Sequence, residues 1–360
     1  MMYYLIITLL LIGAEIAYFW IADKYNIIDK PNERSSHSRI TLRGGGVIFY
    51  LGMVVYCLTN GFAYPWFMLG LTGVAVVSFV DDVKMVSQKT RLVVQFSAML
   101  LMFIEWGMLG LPLWWMIVAL IFCTGILNAY NFMDGINGIT GGYSLVVLAG
   151  LAYVNFFVEK FVDMQLIWVM MIATGVFCLF NFRKKARCFA GDVGSVSIAF
   201  VILFLLGRLI IATHDFSYLV FLAVYGVDSV LTIIHRLMLH ENISEPHRKH
   251  MYQLLANELG VSHVVVSSVY MAVQALIITG FLFCGTYGYL YLIVCLLGLS
   301  IVYVLFMREY FHLHLAHDCC AKNVSLVDGI EKLNPNVKVL CANETSSGLR
   351  YFLLRIRMLL

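Results

Sequence analysis

Residues 191–213 read GDVGSVSIAFVILFLLGRLIIAT, a polar start followed by an apolar run that contains one charge, Arg208. A helix needs about 20 apolar residues to cross the hydrocarbon core of a bilayer. Because that core offers no water to backbone groups, only helices and closed barrels can cross it. The alternation that a barrel strand requires is absent from the chain. This stretch therefore predicts a membrane-spanning helix with polar residues at one end.

The rest of the chain repeats this pattern. Of its 360 residues, 61% are hydrophobic and 12% are charged, against about 25% charged residues in soluble domains. We therefore expect an all-α, polytopic membrane bundle in residues 1–307, followed by a short tail of unknown role in residues 308–360. The apolar spans predict about eleven transmembrane helices, near residues 2–22, 45–61, 62–80, 92–106, 111–128, 140–157, 164–181, 193–213, 217–234, 262–283 and 286–306.

The basic residues of the loops predict the orientation. Segment 23–43 holds five Lys and Arg residues, segment 182–191 holds four, and the loops of the opposite face hold Lys160 alone. Because basic residues in short loops stay in the cytoplasm, we expect the N-terminus outside and the C-terminal tail in the cytoplasm. The net charge of +3 gives no reason to expect a nucleic-acid partner.

Four polar segments fall on the predicted cytoplasmic face, and the first is the adjacent pair Asp81 and Asp82. Adjacent residues of a helix point about 100° apart. We therefore expect the two carboxylates to divide their roles, one binding a cation and the other a substrate proton or a lysine. The alternative is a solvated helix end at which Lys84 is the partner.

The second segment carries a polar group at every third residue, at Asn128, Asn131, Asp134 and Asn137. This spacing spreads over half the surface of an α-helix but aligns on a 3₁₀ segment. The glycines that follow predict an interruption of the helix, where backbone and amides can approach a ligand. The alternative is a polar helix end capped by amides.

The third segment places Asp192 at a helix start, where free N–H groups favour anions and an aspartate can hold a metal against a phosphate. Ordinary helix capping is the alternative. The fourth segment, with His247, Arg248 and His250, supplies basic donors for a diphosphate. The alternative is that these charges only set the orientation of the helices in the membrane. The residue pattern of this segment does not predict a zinc site. In loop 29–46, His37 and Arg43 beside a glycine run suit a lipid phosphate.

In this order the motifs resemble those of the polyprenyl-phosphate N-acetylhexosamine-1-phosphate transferases, the MraY/WecA superfamily. The resemblance covers most of residues 29–260 and rests on Arg43-Gly-Gly-Gly46, Asp81-Asp82, Asn128-x-x-Asn131-x-x-Asp134-Gly, Phe189-x-Gly-Asp192-x-Gly-Ser195 and the histidine-arginine loop. The family fold has ten or eleven helices and a cytoplasmic cleft. Many relatives have a second aspartate where this chain has Asn137. In this respect the chain resembles the branch of the family that initiates O-antigen, lipopolysaccharide or other surface polysaccharides. The resemblance leaves the identity of the amino sugar open.

The resemblance implies a multi-pass enzyme of the bacterial cytoplasmic (inner) membrane with its site on the cytoplasmic face. It would transfer an N-acetylhexosamine 1-phosphate from a UDP-sugar to polyprenyl (undecaprenyl) phosphate and release UMP. The implied cofactor is Mg²⁺, with Mn²⁺ as an alternative. Partners would be the UDP-N-acetylhexosamine, the polyprenyl phosphate and membrane lipids, and a homodimer is left open.

The resemblance also implies residue roles. Asp192 would be the main Mg²⁺ ligand with Asp82 in support, and Asp81 would lie nearest the acceptor phosphate. The four polar groups of the second segment would bind uridine or sugar. We favour direct attack over a covalent aspartyl intermediate. The rival interpretation is a lipid-linked sugar transporter or flippase, which would use intramembrane charges such as Glu15, Arg208 and Asp228. A noncatalytic scaffold is a third.

Overall fold

The computed structural model describes residues 2–30, 39–243 and 247–333, so that His37 lies outside the described residues. Helices dominate: α1 (Met2–Lys24), α2 (Val47–Asn60), α3 (Pro65–Val83), α4 (Gln88–Glu105), α5 (Leu113–Met133), α6 (Ile139–Phe157), α7 (Met164–Asn181), α8 (Gly191–Thr213), α9 (Ala223–Met238), α10 (Met251–Gln253), α11 (His263–Leu282) and α12 (Gly288–Leu333). Short 3₁₀ segments cover Met108–Gly110, Phe216–Leu222 and Gly285–Tyr287, and a π-helical turn covers Leu254–Glu258.

The all-α membrane bundle expected from the sequence is confirmed. Within the described residues, nine helices are long and apolar enough to cross a membrane, and α2 is a shorter apolar helix. Nine of the eleven expected spans coincide with these long helices, one of which begins as the 3₁₀ segment Phe216–Leu222. The expected span 45–61 coincides with the shorter α2, and the expected span 92–106 coincides with α4, which is not among the nine. The count of eleven spanning helices and the orientation stay predictions.

The chain divides into two compact units, Met1–Glu309 and Tyr310–Leu360. The first unit contains the helices that carry all four polar segments. In the second unit, the described residues continue as helix to Leu333.

Helix α8 is the centre of the bundle. It packs against α2, α3, α5 and α6, and its residues from Val193 to Leu206 are buried. A helix that is apolar all round is surrounded either by other helices or by lipid, and the burial of these residues shows that other helices surround α8. On one side the ring of Phe67 stacks on Phe204, with centroids 4.1 Å apart. The central position of α8 places its first residues, including Asp192, in the middle of one end of the bundle.

The first loop is attached to the segment before α8. Strands β1 (Ile28–Asp29) and β2 (Thr41–Leu42) form an antiparallel pair. The N–H of Phe189 donates to the Leu42 carbonyl at 2.8 Å, and the N–H of Gly45 donates to the Phe189 carbonyl at 2.9 Å. These bonds hold residues 43–46 against the start of α8.

The helix starts of α2 and α8 then touch through two glycines. A Cβ atom added to Gly46 would lie 2.2 Å from the Cα of Gly194, and one added to Gly194 would lie 2.6 Å from the Cα of Gly46. Because real Cβ atoms do not approach other atoms so closely, both positions require glycine for this contact.

Candidate active site

Asp82 closes the N-terminus of α8. The backbone N–H of Asp192 donates to Oδ1 of Asp82 at 2.9 Å, and that of Val193 donates to Oδ2 at 3.0 Å. These N–H groups have no partner inside the helix, and the helix dipole favours an anion here. The Asp82 side chain is 0% exposed. A carboxylate from α3 therefore fastens the start of α8.

Gly191 makes the room for this cap. Its φ is +69°, and an added Cβ would lie 2.5 Å from Oδ2 of Asp82. A side chain at this position would meet both the strain of a left-handed backbone and the carboxylate itself. Glycine is therefore required at position 191 for the close approach of the Asp82 carboxylate.

Arg43 joins the first loop to this cap. Its Nε donates to Oδ1 of Asp82 at 2.6 Å, and its Nη2 lies 3.5 Å from Oδ1 of Asp192. Burial alone would lower the pKa of Arg43, but the two carboxylates outweigh burial and hold the pKa above its ordinary value. The Tyr18 hydroxyl donates to the Arg43 carbonyl at 2.6 Å. Arg43 is therefore a fixed cation beside both aspartates.

Arg91 bridges the other two carboxylates. Its Nη1 lies 3.0 Å from Oδ2 of Asp81, and its Nη2 lies 2.9 Å from Oδ2 of Asp192. The sequence analysis did not single out this residue. One signal was available, because a cation in the first turn of a helix opposes the helix dipole and indicates an acidic partner.

Asp81 and Asp192 also meet directly, since their side chains lie within hydrogen-bond distance of each other. Asn131 completes the group. With its amide oxygen towards Arg91 at 3.0 Å, its nitrogen donates to Oδ1 of Asp192 at 3.3 Å and to the Ser195 hydroxyl at 2.8 Å. The structure thus brings together carboxylates from α3 and α8, an amide from α5, and guanidinium groups from α4 and the first loop.

The donor set fits Mg²⁺ in a particular way. Within the described residues, no group of three or more His, Cys, Asp and Glu side chains is arranged to hold a metal ion. Mg²⁺, however, is commonly bound through one or two carboxylates together with phosphate oxygens of the substrate. Asp81 and Asp192 provide such a pair, with side chains 11% and 14% exposed.

Asp82 fits the expected metal-ligand role less well. Its two oxygens already accept two helix N–H groups and the Nε of Arg43. The expectation that adjacent carboxylates divide their roles agrees with this geometry, but the division differs from the expected one. Asp82 organises the helix start, and Asp81 faces Asp192.

The four polar groups of the second segment have separate partners within the protein. Asn128 and Asn131 lie on α5, which ends at Met133, and Asp134 and Asn137 follow it. Asn128 donates to Oε1 of the buried Gln95 at 3.1 Å, one helical turn away from Asn131. Asp134 accepts a hydrogen bond from Thr140 at 2.7 Å. Asn137 donates to the Arg183 carbonyl at 3.0 Å. Of these four, Asn131 is the one that lies within hydrogen-bond distance of the aspartates.

Burial shifts the titration of Asp134, which directly follows α5. It raises the pKa of Asp134 to about 6, against the opposing effect of the Thr140 hydrogen bond. The smaller effects come from Asp82, which raises the pKa, and from Arg43, which lowers it. The pKa of Asp134 therefore depends in part on the charges of Asp82 and Arg43.

A cavity of about 1170 Å³ is lined in part by the loop that leads to Asp192. Its charged lining contains five cations and one acid, namely Lys24, Arg39, Lys184, Lys185, Arg187 and Asp23. Asn137, Phe189 and His263 also line it. Phe189 precedes Asp192 by three residues, so the cavity and the aspartates are connected by one short loop. The excess of cations suits an anionic ligand.

The histidine loop packs against the end of α5. The Phe132 ring lies 6.4 Å from the His247 ring and 6.5 Å from the His250 ring, between centroids. The Tyr252 hydroxyl donates to the Phe132 carbonyl at 2.9 Å. The histidine loop is therefore packed against the helix that carries Asn131.

Each residue of this loop has a defined neighbour. Burial, helped by the nearby His250, lowers the pKa of His247 to about 3. The Lys249 N–H donates to Nδ1 of His247 at 3.3 Å, which places the proton of a neutral His247 on Nε2. Arg248 lies 3.8 Å from Glu258, and Nδ1 of His250 lies 3.3 Å from Oδ1 of Asp228.

Known proteins resemble the chain across this region. Residues 64–210 match the model of glycosyl transferase family 4. A Bacillus subtilis (strain 168) protein, a probable undecaprenyl-phosphate N-acetylglucosaminyl 1-phosphate transferase, is 28% identical over 73% of this chain and 77% of its own. The undecaprenyl-phosphate alpha-N-acetylglucosaminyl 1-phosphate transferase of Escherichia coli (strain K12) is 27% identical over 65% and 70%. That of Salmonella typhi is 26% identical over the same shares.

Proposed function

From the match of residues 64–210 to glycosyl transferase family 4 and the similarity to its curated relatives, we propose that the chain is a member of this family. It would transfer an N-acetylhexosamine 1-phosphate from a UDP-sugar to polyprenyl phosphate. UMP would leave, and a lipid-linked diphosphate sugar would remain. The names of the relatives specify undecaprenyl phosphate and N-acetylglucosaminyl 1-phosphate. These two compounds are therefore the first acceptor and the first sugar to test.

The observation that carries the proposal is the meeting of Asp81 and Asp192 with Arg91 between them. In the proposed reaction one phosphate anion attacks another. Positioning and neutralisation of charge then supply most of the catalysis. The two carboxylates would contribute to positioning. The guanidinium that they share and the cations of the nearby cavity would neutralise phosphate charge.

We assign the proposed Mg²⁺ site to Asp81 and Asp192, with phosphate oxygens of the substrate as further ligands. When bound, the ion would neutralise charge on the transferred phosphate. Asp82 supports this site by holding the start of α8 and the side chain of Arg43. Arg43 and Arg91 would bind phosphate oxygens as charge-assisted donors.

The cationic cavity suits the donor nucleotide. Lys184, Lys185 and Arg187 lie on the loop that leads to Asp192 and would bind the diphosphate. Asn137 and Phe189, which also line the cavity, would contact uridine or sugar. The donor phosphates would then extend from the cavity towards Asp192.

Direct attack agrees best with the surroundings of the carboxylates. The oxygens of Asp192 lie against Arg43, Arg91 and the Asn131 amide, which makes the carboxylate a poor nucleophile. An oxygen of the acceptor phosphate would form the new bond to the sugar-bearing phosphorus. The bond from that phosphorus to the bridging oxygen would break, and UMP would leave with the electron pair.

The proposed location is the bacterial inner membrane, with this end of the bundle facing the cytoplasm, as the basic loops predict. The transporter interpretation loses support from the intramembrane charges. Glu15 lies beside Cys188, at 3.6 Å, and Asp228 lies beside His250. Both acids therefore contact loops at the aspartate end instead of lining a path through the bundle.

The deciding experiment uses the full chain, purified in detergent. It is incubated with Mg²⁺, undecaprenyl phosphate and a panel of UDP-N-acetyl sugars, and mass spectrometry follows UMP and the lipid product. Equal amounts of UMP and lipid diphosphate sugar are expected from at least one donor. Because detergent allows no gradient, a transporter would release no UMP. Folded protein that forms no product with any donor would contradict the proposal.

A further inference from the structure

Asp228 and His250 form a buried pair that the proposed reaction has not used so far. Nδ1 of His250 lies 3.3 Å from Oδ1 of Asp228. His250 is 1% exposed and Asp228 is 4% exposed. Asp228 is ten residues before the last residue of α9, Met238, which is roughly 15 Å along the helix axis. The loop therefore returns into the bundle to reach this carboxylate.

Asp228 is held by several donors. The backbone N–H of Met251 donates to Oδ1 at 3.0 Å, and the Tyr270 hydroxyl of α11 donates to Oδ2 at 2.6 Å. The Thr232 hydroxyl lies 3.2 Å from Oδ1 and 2.9 Å from the Tyr303 hydroxyl of α12. This network fixes the carboxylate between three helices, so that the position of the His250 ring is fixed as well.

The carboxylate also fixes the tautomer of His250. A carboxylate accepts hydrogen bonds, so the proton of a neutral His250 belongs on Nδ1. Nε2 is then a lone pair, and within the described residues it has no hydrogen-bond partner although it is buried. A buried polar atom without a partner is costly. A ligand with a proton to donate would satisfy this atom.

The neighbours of the ring point to the ligand. His250 lies 5.0 Å from the His247 ring, between centroids, and both rings lie against Phe132. Phe132 directly follows Asn131, which donates to Asp192. The Tyr252 ring of α10 stacks on the His250 ring with centroids 5.7 Å apart, and Tyr270 of α11 donates to the Asp228 carboxylate. The histidine loop is thus packed on the residue that follows Asn131 in the chain.

We propose that Asp228 is a positioning residue that holds His250 in the tautomer needed to accept the proton of the acceptor phosphate. This inference rests on the proposed function. Of the two substrates, the acceptor carries a phosphate monoester, whose second ionisation lies close to neutral pH by analogy with phosphoserine, so that a fraction of it still carries a proton. As its oxygen bonds to the sugar-bearing phosphorus, the proton moves to Nε2 of His250. UMP leaves with the electrons of the broken bond, and the imidazolium returns its proton to water.

The test is a double-mutant cycle with Asp228→Asn and His250→Gln in the full chain, with undecaprenyl phosphate as acceptor. Each single variant is expected to lower kcat about 10- to 100-fold, while KM for the UDP-sugar changes less than about twofold. Because both act through one imidazole, the double variant should be no slower than the His250→Gln variant. Independent, multiplicative losses would overturn the proposal.

Further variants guard against a merely structural effect. His250→Asn retains a donor for Asp228 but lacks the Nε2 atom, so it should unfold near the wild-type temperature and lose kcat to the same degree. If Asp228→Asn does not fold, this variant decides alone, and wild-type kcat would contradict the proposal. Tyr289→Phe removes a hydroxyl that accepts the Phe216 N–H at the opposite end of the bundle, outside this network, and should leave kcat unchanged.

The results also separate this inference from the proposed function. Wild-type protein that unfolds cooperatively but forms no UMP with any donor would contradict both. Active wild-type protein with a multiplicative cycle, or with an active His250→Asn variant, would contradict the role of Asp228 and His250 alone.

Discussion

Asp82 accepts the backbone N–H of Asp192 at 2.9 Å, so that the acid of α3 caps the helix on which the other acid lies. The two aspartates are therefore not equivalent, although both carry one carboxylate at the same end of the bundle. Asp82 caps the helix, and Asp192 faces Asp81 and Arg91. This difference separates the effects expected of their substitution.

Asp82→Asn is expected to lower stability as well as activity. The amide cannot accept both helix N–H groups and balance Arg43, and an unsatisfied buried group costs about 1–3 kcal/mol. Thermal unfolding in detergent should show a lower midpoint than for the wild type. Asp215→Asn, at the opposite end of the bundle, serves as the control. A wild-type midpoint for Asp82→Asn would contradict the capping role.

Asp192→Asn is expected to abolish nearly all turnover with an unfolding midpoint close to that of the wild type. The amide keeps the shape and the backbone cap but loses the charge that would bind Mg²⁺. UMP release measures turnover. In the wild type, Mg²⁺ with donor should raise the unfolding midpoint, and in the variant it should not. Substantial turnover of the variant with added Mg²⁺ would refute the ligand assignment.

Arg91→Gln is expected to lower kcat about 100-fold, the usual cost of losing one charged or polar donor at a site of developing charge. Arg91→Lys should restore only part of the rate, because one ammonium cannot bridge Asp81 and Asp192 in the same way. Lys89→Gln, on the exposed start of the same helix, is the matched control. Equal rates for the Arg91→Gln and Lys89→Gln variants would show that the bridge is dispensable.

The pKa of Asp134 predicts a pH-dependent effect of Asp134→Asn on stability. The folded pKa of about 6 lies above the ordinary value of 3.8. Asp134 therefore stabilises the fold below the lower value, and this contribution is lost as the pH rises through about 6. The Asn variant should unfold at a higher temperature than the wild type at about pH 7.5, and the gap should close towards about pH 4. An equal gap at both pH values would contradict the raised pKa.

Direct attack predicts that no UMP exchanges without the lipid acceptor. The full chain is incubated with UDP-sugar, Mg²⁺ and labelled UMP, and label in the UDP-sugar is measured. A covalent aspartyl intermediate would return label to the donor, whereas direct attack has no step that does so. Addition of undecaprenyl phosphate to the same sample provides the positive control for activity. Clear exchange in its absence would count against direct attack.

The helices and the location of the polar segments could be predicted because hydropathy is a local property. The run from Val196 to Leu206 identifies α8 without knowledge of its neighbours. The partners of individual side chains could not be predicted in this way. That Asp82 would reach α8, and that Arg91 would join Asp81 to Asp192, depends on which helices are adjacent, and one sequence does not contain this information.

The second segment shows the same limit. Its three-residue spacing left a 3₁₀ alignment and an α-helical spread as alternatives, whereas in the structure Asn128 and Asn131 lie on α5 and Asp134 and Asn137 lie in the break between α5 and α6. Asn137 illustrates the result, since its amide donates to the Arg183 carbonyl. The residue type correctly indicated that Asn137 makes a polar contact. Whether the partner is a ligand or a neighbouring loop depends on tertiary contacts.

The glycine contact between α2 and α8 means that the chemistry can be tuned without changing any polar group. Gly46 is three residues from Arg43, and Gly194 is two residues from Asp192. A single methyl group at either glycine would force the two backbones apart. Graded separation of these helices would lengthen the guanidinium contacts to the aspartates and yield partially impaired enzymes. Such variants would allow the rate of the proposed sugar-phosphate transfer to be lowered in steps.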